Sequence, residues 1–206
     1  TDNGRDLLGD DFPPDELNRV EQGQFYGWPY AHGDRVADPD FGPGNSDKIE
    51  SSTVPVHAFR AHNAPLGMEF LTSKDLPTEY QNIALVALHG SWNRTTKDGY
   101  KVVSLHWNSD GSIEERDFVT GFEDNGHVIG RPADVRQDPN GDIYISDDFA
   151  NAIYRVRWNE NRNLKEIEST NTQPQQPTFE KSQLNLADPQ INNDYQAGKI
   201  LYQKNP

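Results

Sequence analysis

Eight strand-like segments, each four to seven residues long and closed by turn residues, occupy Thr53 to Trp158 and leave the chain few folds to choose from. They are Thr53–Phe59, Gly67–Leu71, Ile83–Leu88, Lys101–Trp107, Ile113–Val119, Ala133–Arg136, Asp142–Ser146 and Ile153–Trp158. β-Branched and aromatic residues fill them, and Gly, Pro, Asn and Asp mark the gaps, which is the pattern of short paired strands. Two links predict hairpin turns: Asp110-Gly111 before one strand and Asn140-Gly141 before another. Asp-Gly and Asn-Gly pairs supply the positive backbone angles that tight hairpins require. No helix-period pattern appears before residue 190. The spacing predicts an all-β region of sandwich or propeller type. The 16 Gly and 14 Pro, spread through most of the chain beside only 33% hydrophobic residues, fit the same reading.

With 33 acidic against 19 basic residues the formal charge is −14, and no basic stripe is present. That argues against nucleic acid or anionic lipid as the main partner. The longest apolar run, Ile83–Leu88, is six residues, where a helical membrane span needs roughly 20. The chain has no Cys, hence no disulfide, thiolate metal site or Cys nucleophile. It begins with Thr and has no leader pattern, so it reads as a processed form or a piece of a longer protein.

The first 40 residues carry ten acids against three bases, half of the net charge. Such a segment is either a solvated acidic loop or a set of oxygen donors for a hard cation such as Ca²⁺. No Asp-x-Asp-x-Asp-Gly loop is present to decide between them. Between Ser169 and Asn193 the composition turns to Gln, Asn and Pro without Gly, which predicts a linker over 159–193. Tyr195, Ile200 and Tyr202 then have the spacing of a short amphipathic helix within residues 194–206.

None of the six His, at positions 32, 57, 62, 89, 106 and 127, forms an i, i+4 pair. Nor is there a Gly-x-Ser-x-Gly elbow, a Walker loop or a dinucleotide fingerprint. His57 and His106 lie inside strand-like segments and read as surface or packing residues. Two segments stand out. Leu88-His-Gly-Ser-Trp-Asn-Arg94 places an imidazole, an indole, an amide and a guanidinium at the end of the most apolar strand. Gly130-Arg-Pro-Ala-Asp-Val135 places Arg131 and Asp134 at the start of another. Each is either a turn fastened by local bonds or a fork suited to holding a small-molecule carboxylate.

Taken in order, Thr1-Asp-Asn-Gly-Arg5, Pro14-Asp-Glu-Leu-Asn18, Phe25-Tyr-Gly-Trp-Pro29, Leu66-Gly-Met68, His89 to Arg94, Arg131-Pro-Ala-Asp-Val135 and Gly141-Asp-Ile-Tyr-Ile-Ser-Asp147 form a recognisable set. The set resembles the glucose/sorbosone dehydrogenase family, soluble quinoproteins that use pyrroloquinoline quinone (PQQ) and calcium on a six-bladed β-propeller. The His-Gly-Ser-Trp-Asn-Arg stretch is most similar to the sorbosone-type branch. The resemblance implies that the main-chain oxygens of Gly4 and Arg5, where the family often has Pro in the second place, hold the calcium. It implies that Arg131 pairs with a PQQ carboxylate, while the family's second arginine, two positions on, is Ala133 here. His89 and Arg94 lie near a cofactor-facing position of the family. Calcium would act as a Lewis acid on a quinone carbonyl while an aldose hydride passes to the quinone. No catalytic residue is assigned, because the family's catalytic His belongs to an earlier blade, upstream of Thr1.

At about 40 to 45 residues per blade, residues 1–158 make three to four blades of the ring. The resemblance therefore implies the C-terminal portion of a propeller, with exposed strand edges that pair with the missing N-terminal half. Residues 194–206 resemble the first helix of a c-type cytochrome domain, which implies a haem c domain downstream as electron acceptor. The implied whole is a periplasmic or secreted, PQQ- and calcium-dependent oxidoreductase acting on an aldose or sugar aldehyde. The alternatives are a non-catalytic propeller binding module and a lactonase-type metal-dependent hydrolase.

Overall fold

The computed structural model describes residues 1–158. In chain order the strands are β1 (Asp15–Leu17), β2 (Ala31–His32), β3 (Val36–Ala37), β4 (His57–Phe59), β5 (Pro65–Phe70), β6 (Ala84–Leu88), β7 (Lys101–Trp107), β8 (Ile113–Val119), β9 (Glu123–Asp124), β10 (His127–Val128), β11 (Pro132–Gln137), β12 (Ile143–Asp147) and β13 (Ala152–Val156). One α-helix, α1 (Ser46–Ser51), and one 3₁₀ turn, Thr78–Tyr80, complete the described structure. Neither buries a residue, so neither has an apolar period to read from sequence.

Strands β5, β6, β7 and β8 form a four-stranded antiparallel meander, and β11, β12 and β13 a three-stranded one. Strand β6 is buried along its whole length, and its side chains divide between two cores. Leu85 joins Leu71, Leu76, Ile83, Val102, Val135, Ile143 and Ile145 on the side where β11 packs on β5 and β6. Val86 and Leu88 point to the other face and meet Leu17 and Phe59 of the β1–β4 pair, together with Val103 and Leu105. The period-2 alternation of a strand therefore serves both neighbours, and each such buried Val or Leu contributes about 1.5 to 3 kcal/mol. Antiparallel meanders stacked face to face on both sides of a central sheet give the packing of a β-propeller. Strand β8 at the outer edge carries Glu114, Glu115, Arg116 and Asp117, and such charges discourage further pairing.

The β7–β8 turn closes with Gly111 N–H on the Asn108 carbonyl at 3.0 Å and a positive φ of 87° at Gly111. The β11–β12 turn is built likewise, Gly141 N–H meeting the Asp138 carbonyl at 3.0 Å. The linker over 159–193 and the helix over 194–206 lie outside the described residues.

His57 and His106 both have structural partners: His57 Nε2 lies 3.0 Å from Glu115, and His106 Nε2 lies 3.0 Å from the Ser104 hydroxyl. Burial, then the nearby Arg116, lowers the His106 pKa below its ordinary value, against the opposing pull of Glu114 and Glu79. A folded-state pKa below the unfolded one means that the unfolded chain binds more protons in between. The stability linked to this ring is thus present above roughly pH 6.5 and declines as pH falls. The melting temperature of His106→Gln should fall less than that of the parent between pH 7.5 and 5.5. Equal slopes in thermal melts across that range would remove His106 as a source of the pH dependence.

Candidate functional site

Arg131 precedes β11, and three fixed points determine where its side chain lies. Its main-chain N–H donates to Asp147 Oδ1 at 3.0 Å. Its Nε donates to the His89 carbonyl at 3.0 Å and its Nη2 to the Gly90 carbonyl at 2.7 Å. The guanidinium also stands over the Tyr100 ring, 5.6 Å from the centroid. Among the described residues no acceptor meets Nη1. Asp134, the nearest carboxylate in sequence, instead accepts the Val135 N–H at 2.9 Å. The segment after β6 thus supplies two backbone oxygens that aim the guanidinium, an arrangement with no signature in residue type.

His89 stands at the same place: its carbonyl receives Arg131 and its Nε2 lies 2.8 Å from Asp148 Oδ1. Asp148 is 64% exposed by side chain. Its carboxyl is held below the usual range by that hydrogen bond, and the Arg131 charge adds to the effect. Asp148 was not legible as a site residue, since it follows β12 in a turn far from His89 in sequence.

Arg94 is placed differently from His89 and Arg131. Its side chain is 6% exposed, and it fastens the acidic N-terminal segment. Nη2 donates to Asp11 at 2.9 Å, Nη1 to the carbonyls of Ala61 (3.2 Å) and Asp10, and Nε to the Thr96 carbonyl at 3.3 Å. A guanidinium with this many protein acceptors is an internal clamp.

Gly4 and Arg5 lie in a stretch whose main chain is pinned at Asp2 and at Gly4. Asp2 and Glu16 exchange two main-chain hydrogen bonds of 2.8 Å. Gly4 N–H donates to Asp15 Oδ1 at 2.7 Å, and Ala64 N–H to Asp15 Oδ2 at 2.7 Å. Burial pushes the Asp15 carboxyl up, while these two N–H groups pull the other way. A Cβ on Gly4 would come within 2.8 Å of the Pro14 carbonyl oxygen, so glycine fits this approach. The carbonyl oxygens of Gly4 and Arg5 accept no hydrogen bond from the described residues. They remain available as hard oxygen ligands.

Two clefts flank this stretch. One, of about 290 Å³, is lined by Gly4, Arg5, Glu16, Tyr26, Trp28 and His32 among others. The second, of about 110 Å³, brings Gly4 and Asp6 against Trp92 and Asn93. Asn93 Nδ2 donates to Asp6 at 3.0 Å, and Asn93 Oδ1 is buried without a partner among the described residues. Residues His89 to Asn93 therefore join the Arg131 fork at one end to the Gly4 loop at the other. Trp92, 69% exposed, presents its ring beside them.

The acidic N-terminal segment is not simply solvated: Asp15, Glu16 and Asp38 are buried and each accepts several hydrogen bonds. Nor do the described residues contain a cluster of three or more His, Asp or Glu arranged to hold a metal ion. Several of its acids serve as anchors for backbone, which composition could not reveal.

A family model described as TrAA12-like matches residues 33–159. An uncharacterized protein of Borreliella burgdorferi is 38% identical over 165 residues, covering 77% of this chain and 42% of that protein. Among solved structures, the calcium structure of a Trichoderma reesei carbohydrate-active enzyme of family AA12 superposes with a TM-score of 0.60 at 23% identity, over 75% of this chain and 45% of that one. The holo form of the pyranose dehydrogenase PQQ domain from Coprinopsis cinerea superposes with a TM-score of 0.56 at 20% identity, over 75% and 48% respectively. The chain thus spans less than half the length of each of these relatives, and the structural likeness is one of fold.

Proposed function

The chain belongs to the TrAA12-like family, and we propose that it is the cofactor-holding part of a PQQ- and calcium-dependent dehydrogenase acting on a sugar or sugar aldehyde. The observation that carries the reading is the junction made by His89 to Asn93, which connects the oriented Arg131 guanidinium to the unpartnered oxygens of Gly4 and Arg5. An AA12 enzyme solved with calcium and a pyranose dehydrogenase domain named for PQQ share the fold, and they support the choice of ligands.

The residues fit such a group. Nη1 of Arg131 is free of described acceptors while Nε and Nη2 are fixed, so the fork is preset for a carboxylate. His89 offers its Nδ1, the Nε2 side being held by Asp148. The Gly4 and Arg5 oxygens suit a hard divalent cation. Arg94 gives its guanidinium to acceptors of the chain itself. When bound, PQQ supplies a quinone that accepts the sugar's hydride, and calcium polarises it. Exposed Trp92 and Trp28 give the sugar ring apolar faces to lie on.

We assign 1–158 to the propeller, 159–193 to a linker and 194–206 to the start of a c-type cytochrome domain. Electrons then pass to haem c or another acceptor, in a periplasmic or secreted protein completed by the remaining blades. The test is an absorbance titration of the protein, carried with its upstream blades, by PQQ with and without Ca²⁺. Binding should require Ca²⁺ and weaken about 10- to 100-fold in Arg131→Ala, the range of a charge-assisted hydrogen bond. Binding indifferent to both Ca²⁺ and Arg131 would overturn the reading.

A further inference from the structure

We propose that the Arg5 side chain is the positioning residue for the cation-binding oxygens, tethering its own main chain to the buried carboxylate of Asp38. The inference rests on the reading that Gly4 and Arg5 ligate a cation through their carbonyls. Arg5 Nη1 donates to both oxygens of Asp38, at 2.8 and 2.6 Å, and Nη2 donates to Asp40. The guanidinium also covers the Phe41 ring at 5.4 Å from its centroid.

Asp38 is an anchor independent of Arg5. Its side chain is 0% exposed, and it is held by His32 Nε2 at 2.8 Å and by the N–H groups of Asp40 and Phe41, both at 2.9 Å. Burial alone would raise the Asp38 carboxyl, but the bonds from His32, Arg5 and the two N–H groups hold it well below the usual carboxylate range. This anion is fixed from three sides before the guanidinium arrives.

Main-chain carbonyls carry no formal charge, so their grip on a hard cation depends on being held pointing together. Gly4 is restrained by Asp15 through its own N–H. Residue 5 has no such main-chain bond among the described residues, and its restraint is the side chain. Arg5 thus carries both the ligand oxygen and the tether. Positioning and electrostatics then predict opposite signs. A bare positive charge beside the site would repel Ca²⁺, so its removal would tighten binding. Loss of a tether would loosen it.

Ca²⁺ binding by equilibrium dialysis decides between them, measured with Ca²⁺ alone and again with PQQ on the full-length protein. Each variant is first checked for the parent's far-UV circular dichroism at the working temperature. Arg5→Ala should weaken Ca²⁺ binding about tenfold. Arg5→Lys, which keeps the charge without the planar fork, should fall between. Adding Asp38→Asn to Arg5→Ala should weaken binding no further, as expected for partners in one tether. Arg5→Ala keeps Asp38 with three other donors, so it should fold even if Asp38→Asn does not. Unchanged or tighter binding in Arg5→Ala overturns the tether and leaves the carbonyl ligands in place. No saturable Ca²⁺ binding by the parent protein overturns the cation reading itself, and the tether with it.

Discussion

Gly90→Ala should destabilise the protein by about 2 to 5 kcal/mol, among the largest effects available from a single added methyl group. Gly90 follows β6 with φ at +94°, where an L side chain costs roughly 1 to 2 kcal/mol. A Cβ at this position would lie 2.5 Å from three carbons of the Tyr100 ring. Tyr100 is buried and its hydroxyl donates to the Ser91 carbonyl, so the ring cannot easily withdraw. Overpacking of that kind adds roughly 1 to 3 kcal/mol. Gly111 provides the control: φ is +87° and nothing lies within 4 Å of where a Cβ would stand, so Gly111→Ala incurs the backbone cost alone. Denaturant melts of both variants should differ by the clash. Equal losses would mean that Tyr100 moves aside at no cost. Because the Gly90 carbonyl aims Arg131, Gly90→Ala should also weaken PQQ binding, whereas Gly111→Ala should not.

The contrast between those two glycines shows where legibility in the sequence stops. Asp110-Gly111 is a local signal: the turn it makes involves Asn108 to Ser112 and nothing distant. The strands β6, β7, β8, β11, β12 and β13 were legible within a residue or two for the same reason, each being a run of apolar or alternating residues ending at a turn. Strand β5 starts two residues earlier than its pattern suggests, because Pro65 pairs with Leu88 across a register shift. Strand β4 is three residues, not the seven of Thr53–Phe59, since only His57–Phe59 finds a partner in β1. Strands β1, β2, β3, β9 and β10, of two or three residues, are too short to carry a period. Within the site, the segments around His89 and Arg131 stand out by residue type, but their joining through backbone oxygens does not. Asp38 and Asp148 read as two more acids in an acidic chain. Only the fold reveals that one is sealed under Arg5 and the other meets His89. Arg94 shows the converse: a guanidinium that stands out by residue type turns inward, because Asp10, Asp11 and Ala61 offer it acceptors.

Asp147 ends β12, and its replacement tests whether Arg131 is placed by its backbone as well as by its side chain. Oδ1 accepts the N–H groups of Arg131 (3.0 Å), Phe149 (3.0 Å) and Ala150 (2.8 Å), while Oδ2 meets the Tyr154 hydroxyl at 3.1 Å. Burial, followed by that bond, raises the Tyr154 pKa, so the phenol stays protonated and can donate. Asp147→Ala strips all four at once. Water can replace the carboxylate at the exposed Phe149 and Ala150, but less readily at half-buried Arg131 and Tyr154. At about 1 to 3 kcal/mol for each of these two donors left unmet, a loss of roughly 2 to 6 kcal/mol is expected from denaturant melts. Asp147→Asn should lose far less. Its one carbonyl oxygen still accepts the three N–H groups, and its amide can donate to the Tyr154 hydroxyl, which is able to reverse its role. If the side-chain contacts to His89 and Gly90 sufficed to aim Arg131, both variants would bind PQQ as the parent does. If the Asp147 bond is also needed, the alanine variant should bind about tenfold more weakly at a temperature where it is still folded, and the asparagine variant should bind normally. That pattern would locate the control of the carboxylate fork in the end of β12, at the aspartate that closes the Gly141-to-Asp147 motif.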